Sequence, residues 1–581
     1  MPGIYSVMDI ARWALQASTR NLDTISHNVA NVNTEGYSRQ EVIQATRRPE
    51  YTPQGWYGSG VTTVNVIQHV DTLLLKRITD KNSDLTYHES RLSQLQRLES
   101  MANEAGDTGL GQQITAFFNA WQDVSNNPES SAVRQVLRET ASNLVSRLQD
   151  LMNDLSLVKK DLSQYIADAV SEANSICRRI AELNQEITNG EATGMSANDF
   201  RDERQRLLND LSELLDIQWF EDGDGNVTVQ TGVGKTLVQG SYPGSSDEDP
   251  LSFESVSGYT DNQLVWRDLN MVLDSDEITG GKIGAWLKVR EVDGPAMEDF
   301  LNGLSYNLIA EVNKLHSQGV GLDKFTDLTG TYESASATMA FNDSANTLAY
   351  KDLIEAGSFT IWVYEAGTRR DYTINVSPTD SLTDLMDNIN AAMNPTVNPN
   401  LNPVASITAD NRLRLQAEGG IEFAFAEDTS NILAALGLNT FFDGSSATSI
   451  SLNENILDSV NYIAAGRLLS DGEHALGDNS NALEIADLKD ALTMADGTET
   501  FNEAVTYWAS DLGTLVASTE DNYAYFESAA AQLKDLRDNV SAVNLDEEMI
   551  KMIQYQRSYQ MSAKLISVAD SLLSTLLETK R

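Results

Sequence analysis

The chain has 581 residues, 41% of them hydrophobic, with a formal net charge of −44 and one cysteine. That length allows about three to five domains with real cores. The charge excludes a nucleic-acid footprint and disfavours an anionic membrane surface, and a lone cysteine excludes an intramolecular disulfide.

The first segment reads as an amphipathic helix with a regular seam. Ile4, Met8, Ala11, Leu15, Ser18, Leu22, Ile25 and Val29 recur at alternating steps of four and three, the pattern that packs another helix. At 1.5 Å per residue the seam is roughly 40 Å long. It runs into "ANVNTEGYSRQ", where Asn33 and Gly36 predict a turn and Tyr37 is expected at the surface. Asp9 and Arg12 interrupt any leader-like apolar core, and no window is long enough to span a bilayer. On these grounds the chain is expected to be cytoplasmic, or exported without a cleaved signal peptide.

A short periodic run around Leu85, Leu92, Leu95 and Leu98 precedes a segment, 129–189, with neither Gly nor Pro. There Leu144, Leu148, Leu151, Leu155, Val158 and Leu162 keep the four-three spacing. This is either one helix of roughly 90 Å or two in an antiparallel pair. Cys177 lies in it and reads as small core filler. Further helices are expected at 199–215, 296–316 and 519–540.

Two segments read as strands. Residues 216–278 alternate around the turn "DGDGN", and 326–450 hold "SFTIWVYEAG", "DYTINV" and "RLRLQAEGG". A helix at 381–393 is expected behind a Ser381 cap. Pro378, Pro395, Pro399 and Pro403 punctuate the second segment.

The last segment mirrors the first. Leu545, Met549, Met552, Gln556, Tyr559, Ala563, Ile566, Asp570, Leu573 and Leu577 again alternate by four and three. Asn544 is placed to cap this helix, and Asp546, Glu547 and Glu548 suit its positive end. Charges balance within 1–48 and within 541–581, so the acidity lies between the ends. Neutral ends on a self-repelling body suit close packing with other copies. Two matched seams are expected to pair with each other, with the middle of the chain looped out.

Catalytic and ligand motifs fail on spacing. "TGVGKT" lacks the phosphate-loop glycine, since that position is Val229. "DGDGNV" has Val227 and Val233 where a calcium loop needs Gly and Glu. His27, His69, His88, His316 and His474 form no zinc-type pair, and no Gly-x-Ser-x-Gly elbow occurs. No enzyme, cofactor or metal is expected.

"ANVNTEGY" resembles the Ala-Asn-x-x-Thr-x-Gly-Tyr signature of bacterial flagellar axial proteins, carried here by Ala30, Asn31, Thr34, Gly36 and Tyr37. Ser38, Arg39 and Gln40 extend it to "GYSRQ", which is similar to the first hook-associated family, the junction proteins between hook and filament. "VNLDEEMIKMIQYQRSYQMSAKLI" and "GDNSNALEIADL" resemble other parts of that family, in the same order. The resemblance implies a mainly α chain with inserted β domains. The terminal helices, 1–60 with 541–581, would pair as an inner coiled coil. A helical stem, 61–215 with 279–325 and 451–540, would surround it, and β-rich modules at 216–278 and 326–450 would face outward. It also implies that Gly36 ends the inner helix and turns the chain outward. Implied partners are further copies in a short ring or segment, hook protein, the next junction protein and filament, and an export chaperone; the implied location is the extracellular flagellum. Another axial filament component, or an adhesin or hydrolase carried on the outer domains, stays open as an alternative.

Overall fold

The computed structural model describes residues 3–52, 55–102, 109–192, 194, 196–393 and 403–579; Pro395 and Pro399 lie outside them. The chain opens with helix α1 (Ile4–Ala30), followed by strands β1 (Gln40–Thr46), β2 (Glu50–Thr52), β3 (Gly55–Tyr57) and β4 (Val61–Gln68). Helices α2 (Thr72–Met101), α3 (Leu110–Asn126), α4 (Ser131–Glu191) and α5 (Asn198–Leu214) come next. Then come β5 (Ile217–Glu221), β6 (Val227–Thr231), β7 (Thr236–Gln239), β8 (Tyr242–Pro243), β9 (Leu251–Ser255), β10 (Asn262–Trp266) and β11 (Met271–Leu273). Helices α6 (Gly281–Lys288) and α7 (Gly294–His316) lead into β12 (Asp327–Thr329), β13 (Gly357–Glu365) and β14 (Thr368–Val376). Helix α8 (Leu382–Met393) precedes β15 (Val404–Ile407), β16 (Leu413–Gln416) and β17 (Glu422–Ala426). The chain ends with α9 (Ile432–Leu436), β18 (Phe442–Asp443), β19 (Ser451–Leu452), α10 (Glu454–Asp458), α11 (Ser480–Asp487), α12 (Phe501–Ser541) and α13 (Leu545–Thr579).

The chain is mainly α with small sheets. Of the two readings of 129–189, a single helix of 61 residues is what forms. Leu144, Leu148, Leu151, Leu155, Val158, Leu162 and Ile166 are all fully buried, so one continuous apolar stripe runs along it. Without Gly or Pro nothing interrupts its hydrogen-bond ladder.

Contacts divide the chain into two units, one of Met1–Gln94, Lys160–Val292 and Ala517–Arg581, the other of Leu95–Lys159 and Asp293–Val516. The division passes through α2, α4 and α12, because each long helix lends its two halves to different cores. It therefore differs from the stem expected from sequence, which keeps each helix whole.

The first unit holds both chain ends. Its main core joins α4 (Ile166, Val170, Ile180) to α5 (Leu208, Leu211) and to strands β5–β11 (Trp219, Val229, Val238, Leu264). Those strands form a four-stranded meander, β5-β6-β7-β8, and a three-stranded sheet, β11-β10-β9. Alternation sets the inward face: Val227, Val229 and Thr231 of β6 are buried while Thr228 and Gln230 are not. Near the N-terminus, β1 and β4 pair antiparallel, with a bulge between Ile43 and Gln44, and both pack on α1. This ladder crosses residue 60 and carries the terminal segment on to Gln68. Its mixed, largely exposed side chains hide it from a pattern search, since little of it is buried.

The second unit packs α3, α7, α11 and the start of α12 beside two sheets, β14-β13-β17 and β12-β16-β15. Phe117, Phe118, Trp121, Phe441 and Phe442 form its aromatic centre. Buried His316 ties that centre together: Nδ1 donates to the Asn439 carbonyl at 2.8 Å and Nε2 accepts from the Ala464 amide at 2.9 Å. Burial pushes its pKa down to about 4, which keeps the ring neutral. Ser381 caps α8 as expected. Its Oγ accepts from the Asp384 amide while Asp384 accepts from the Ser381 amide, a reciprocal capping box.

Candidate assembly site at the chain ends

Helices α1 and α13 lie against each other. The buried line of α1 is Ala11, Ala17, Ser18, Asn21, Thr24, Ile25 and Asn28. That of α13 is Glu548, Ser562 and Ala569. The buried positions on both helices are thus largely small or polar side chains. Of the expected seam, Ile25 is buried, and Ile4, Met8, Leu15, Leu22, Val29, Met552, Ile566 and Leu573 are half-buried beside that line. Leu545, Met549 and Tyr559 are instead exposed, at 45, 48 and 39%. The four-three grid fits two adjacent stripes of α13 equally well, and a single partner helix covers only one of them. The uncovered stripe is strongly apolar, with Ile553, Leu565, Val568, Leu572 and Leu576 all exposed.

The motif that follows α1 is bound into the same unit. Helix α1 stops at Asn31, whose Nδ2 turns back to the His27 carbonyl at 3.0 Å, while Thr34 Oγ1 donates to Asn31 Oδ1. Gly36 therefore does not end the helix, as expected from sequence; the polar cap does so first, and Gly36 serves the next turn. Its φ is +78°, and a Cβ there would fall 2.4 Å from Cγ of Arg206. Backbone handedness and the Arg206 side chain both require glycine at this position.

One buried amide holds the ends together. Asn28 Nδ2 donates to the Gln40 carbonyl at 2.9 Å and to Glu548 Oε2 at 2.9 Å. Its Oδ1 accepts from Tyr37 Oη at 2.8 Å and from the Gln40 amide at 3.0 Å. Asn28 is fully buried and Glu548 is 1% exposed. Lys551 Nζ, 3.4 Å away, balances the Glu548 charge. Tyr37, expected at the surface, is half-buried with its ring edge-on to His27. Burial and the carboxylates of Asp199, Asp202 and Glu548 raise its pKa, so the phenol stays protonated and able to donate.

The rest of the motif is tied down on both sides. The Ser38 amide donates to Asp202 Oδ2 at 3.0 Å, and Gln40 Nε2 donates to Asp199 Oδ1 at 2.8 Å. The Arg39 amide donates to the Ser541 carbonyl at 2.8 Å, and its guanidinium lies 3.4 Å from Glu547. Arg537 Nη2 reaches the Tyr37 carbonyl at 3.5 Å. Burial pushes the Asp202 carboxyl up to about 6, against the opposing pull of its Ser38 bonds. A cavity of about 230 Å³, bordered by Ser38, Asp202 and Arg204 and by apolar side chains such as Leu75 and Trp219, adjoins this loop.

Asn28, Asp202, Arg206 and Arg537 escaped the sequence reading, and Glu548 reads there only as a charge suited to the positive end of its helix. The one available signal was Asn21 and Asn28, two amides seven residues apart on the apolar side of a helix.

The discarded motifs are ordinary turns. Asp222 accepts the amides of Asp224 and Asn226 at 2.9 Å each, closing the β5–β6 hairpin. Lys235 lies over the Trp266 ring at 5.4 Å. Cys177 is buried, which pushes its pKa up to about 12. Among the described residues no cluster of three His, Cys, Asp or Glu is arranged to hold a metal ion, and no helix is long and apolar enough to cross a membrane.

Three family models match, in chain order. They are "Flagella basal body rod protein" over residues 8–37, "Flagellar hook-associated protein FlgK helical domain" over 95–330, and "Flagellar basal body rod FlgEFG protein C-terminal" over 538–579. The first and last cover the segments that meet at Asn28 and Glu548. Flagellar hook-associated protein 1 of Salmonella typhimurium is 24% identical over 585 residues, covering 99% of this chain and all of that protein. Those of Escherichia coli K12 and Bacillus subtilis are 23% and 25% identical, each covering 99% of this chain and 100% and 98% of the relative. In fold, the flagellar hook junction protein FlgK from Burkholderia pseudomallei superposes with a TM-score of 0.55 at 16% identity, covering 80% of this chain and all of that one. With rod-protein segments at both ends and the helical domain between them, the chain is similar from end to end to flagellar hook-associated protein 1.

Proposed function

We propose that this protein is a structural subunit of the bacterial flagellum that joins the hook to the filament and is required for filament assembly. Its relatives carry the name hook-associated protein, and a protein of like fold is titled a hook junction protein. The observation that carries the reading is the pairing of α1 with α13 beside an uncovered apolar stripe on α13. A free subunit has no use for that stripe, whereas neighbouring copies would bury it.

In this reading the paired ends form the inner layer of a short ring or segment, as a coiled coil. The motif residues Ala30 to Gln40 set the path of the chain from that layer to the rest of the subunit. The terminal layer runs through β4 and takes in 541–579, and the strand-rich parts of 216–278 and 326–450 face outward. The subunit contacts hook protein on one side and the next junction protein and filament on the other. It reaches that place outside the cell through the flagellar export apparatus, with a chaperone. The role is mechanical and takes no cofactor.

The test is to mix the purified chain with isolated hooks and image the tips by electron microscopy, beside a chain lacking 541–581. Capped tips with the full chain and bare tips with the truncation are expected. Bare tips in both would overturn the junction reading.

A further inference from the structure

The sulfur of this chain is open to solvent on one helix. Cys177 is buried. Among the described residues Met549 and Met561 are the two methionines that stand exposed, at 48 and 63%. The others are half-buried or buried, and Met152, Met297, Met393 and Met494 belong to the core. Both exposed thioethers lie on α13. Met549 stands one turn after Leu545 and one turn before Ile553, and Met561 one turn before Leu565, at the four-residue step that puts side chains on one face of a helix. All of these are exposed, so both sulfurs belong to the apolar surface that α1 leaves uncovered.

A thioether is soft and apolar, and its sulfoxide is polar and chiral. In the conversion a sulfur lone pair attacks one oxygen of a hydroperoxide, the O–O bond breaks and an S–O bond forms. The hydroxyl carried to sulfur gives its proton to the departing hydroxide or alkoxide, which leaves as water or an alcohol. Sulfur is oxidised by two electrons and the peroxide is reduced by two. The new oxygen is a hydrogen-bond acceptor. Water satisfies it in the free subunit, whereas the apolar surface of a covering neighbour does not, and burying it there is costly.

We propose that Met549 and Met561 are an oxidant-sensitive switch on assembly: a hydroperoxide converts them to sulfoxides in the free subunit, and a second copy then no longer packs on α13. The proposal rests on the reading of the protein as a self-assembling axial subunit and names one way in which that assembly is regulated. The switch is reversible, because methionine sulfoxide reductases return the thioether, one enzyme for each sulfur epimer. Assembly in turn protects it, since the covered sulfurs are out of reach of the oxidant.

The test uses the full chain and dilute hydrogen peroxide. Peptide mass spectrometry of the free chain should show Met549 and Met561 oxidised about tenfold faster than Met152, Met297, Met393 and Met494, and about tenfold slower once the chain is on hooks. Circular dichroism should not change, because both side chains stand in solvent. Isolated hooks are then offered each chain beside its own untreated sample. Peroxide should lower tip occupancy about tenfold, and the two reductases should restore it. In Met549→Leu/Met561→Leu the same treatment should change occupancy by less than about twofold relative to that variant untreated, since leucine has no sulfur to oxidise. Met549→Gln/Met561→Gln, with a polar group in place of each sulfur, should bring the loss without oxidant. Equal oxidation of exposed and buried methionines, or an equal loss in the leucine variant, would overturn the switch and leave the junction role standing. Bare tips with the untreated chain would overturn the junction reading and the switch with it, whatever the peptide masses.

Discussion

Asn28 and Glu548 stand 520 positions apart in the chain and meet through a 2.9 Å hydrogen bond between two fully buried side chains. The same amide accepts from Tyr37 and the Gln40 amide, so three stretches of chain converge on one group. A buried carboxylate that loses such a donor keeps its desolvation cost, which makes this the most sensitive point of the terminal segment.

Replacing Asn28 by Ala takes the amide donor from Glu548 Oε2 and the acceptor from the Tyr37 hydroxyl, leaving Lys551 beside the one and His27 Nδ1 beside the other. The expected loss is about 2–4 kcal/mol of local stability. Amide hydrogen exchange should show α1 and α13 opening sooner, with the second unit unchanged. Tyr37→Phe removes the hydroxyl's bonds to Asn28 Oδ1 and His27 Nδ1 and keeps the ring, so about 1–2 kcal/mol is expected there.

Gly36→Ala meets two obstacles, the positive φ and the Arg206 side chain at 2.4 Å. The left-handed conformation alone costs an L-residue about 1–2 kcal/mol, and the overlap adds to it. In denaturant unfolding, the double variant Gly36→Ala/Arg206→Ala should recover the overlap and not the backbone term. Full recovery would mean that the φ requirement is unimportant.

Asp202 has its pKa raised in the fold from 3.8 to about 6. The folded state therefore holds the proton more tightly than the unfolded chain. That stabilisation is complete below the unfolded pKa and is lost as pH rises through about 6. Asp202→Asn keeps an acceptor for the Ser38 amide and does not ionise. It should match the wild type near pH 4 and exceed it by on the order of 2–3 kcal/mol at pH 7–8. Denaturant midpoints measured across that range decide the matter; parallel curves for the two proteins would argue against it.

Ile25→Asp places a charge in the buried line of α1, where Ile25 is 4% exposed. A loss of about 3–5 kcal/mol is expected at the α1–α13 contact. Capping of isolated hooks should disappear while the near-ultraviolet signal of the Phe117–Trp121 cluster persists. Normal capping would show that this pairing is not needed for assembly.

Cys177 is fully buried and its thiol is held protonated by burial. A thiol reagent at pH 8 should react only at the rate of unfolding, and immediately in denaturant. Rapid labelling of the native chain would contradict the packing of α4 described above.

Much of this protein is legible in its residues. The absence of Gly and Pro between 129 and 189, with leucines at helical spacing, pointed to helix throughout, as one element or an antiparallel pair, and Ser381 marked where α8 begins. The motif Ala30 to Gln40 and the balanced charges of both ends pointed to terminal segments that work together. Such features are local or periodic, and local backbone preference and one-sided burial express them directly. Tertiary structure decided the rest. Which stripe of α13 is covered depends on the single helix beside it, so Leu545, Met549 and Tyr559 follow the same spacing as Met552 and Ile566 and still lie open. Gly36 serves a turn and not the helix end because Asn31 caps α1 first, and Arg206 closes over the site from another helix. The bonds of Asn28 to Glu548 and of Ser38 to Asp202 leave no periodic trace, because each depends on where distant segments are brought together by packing.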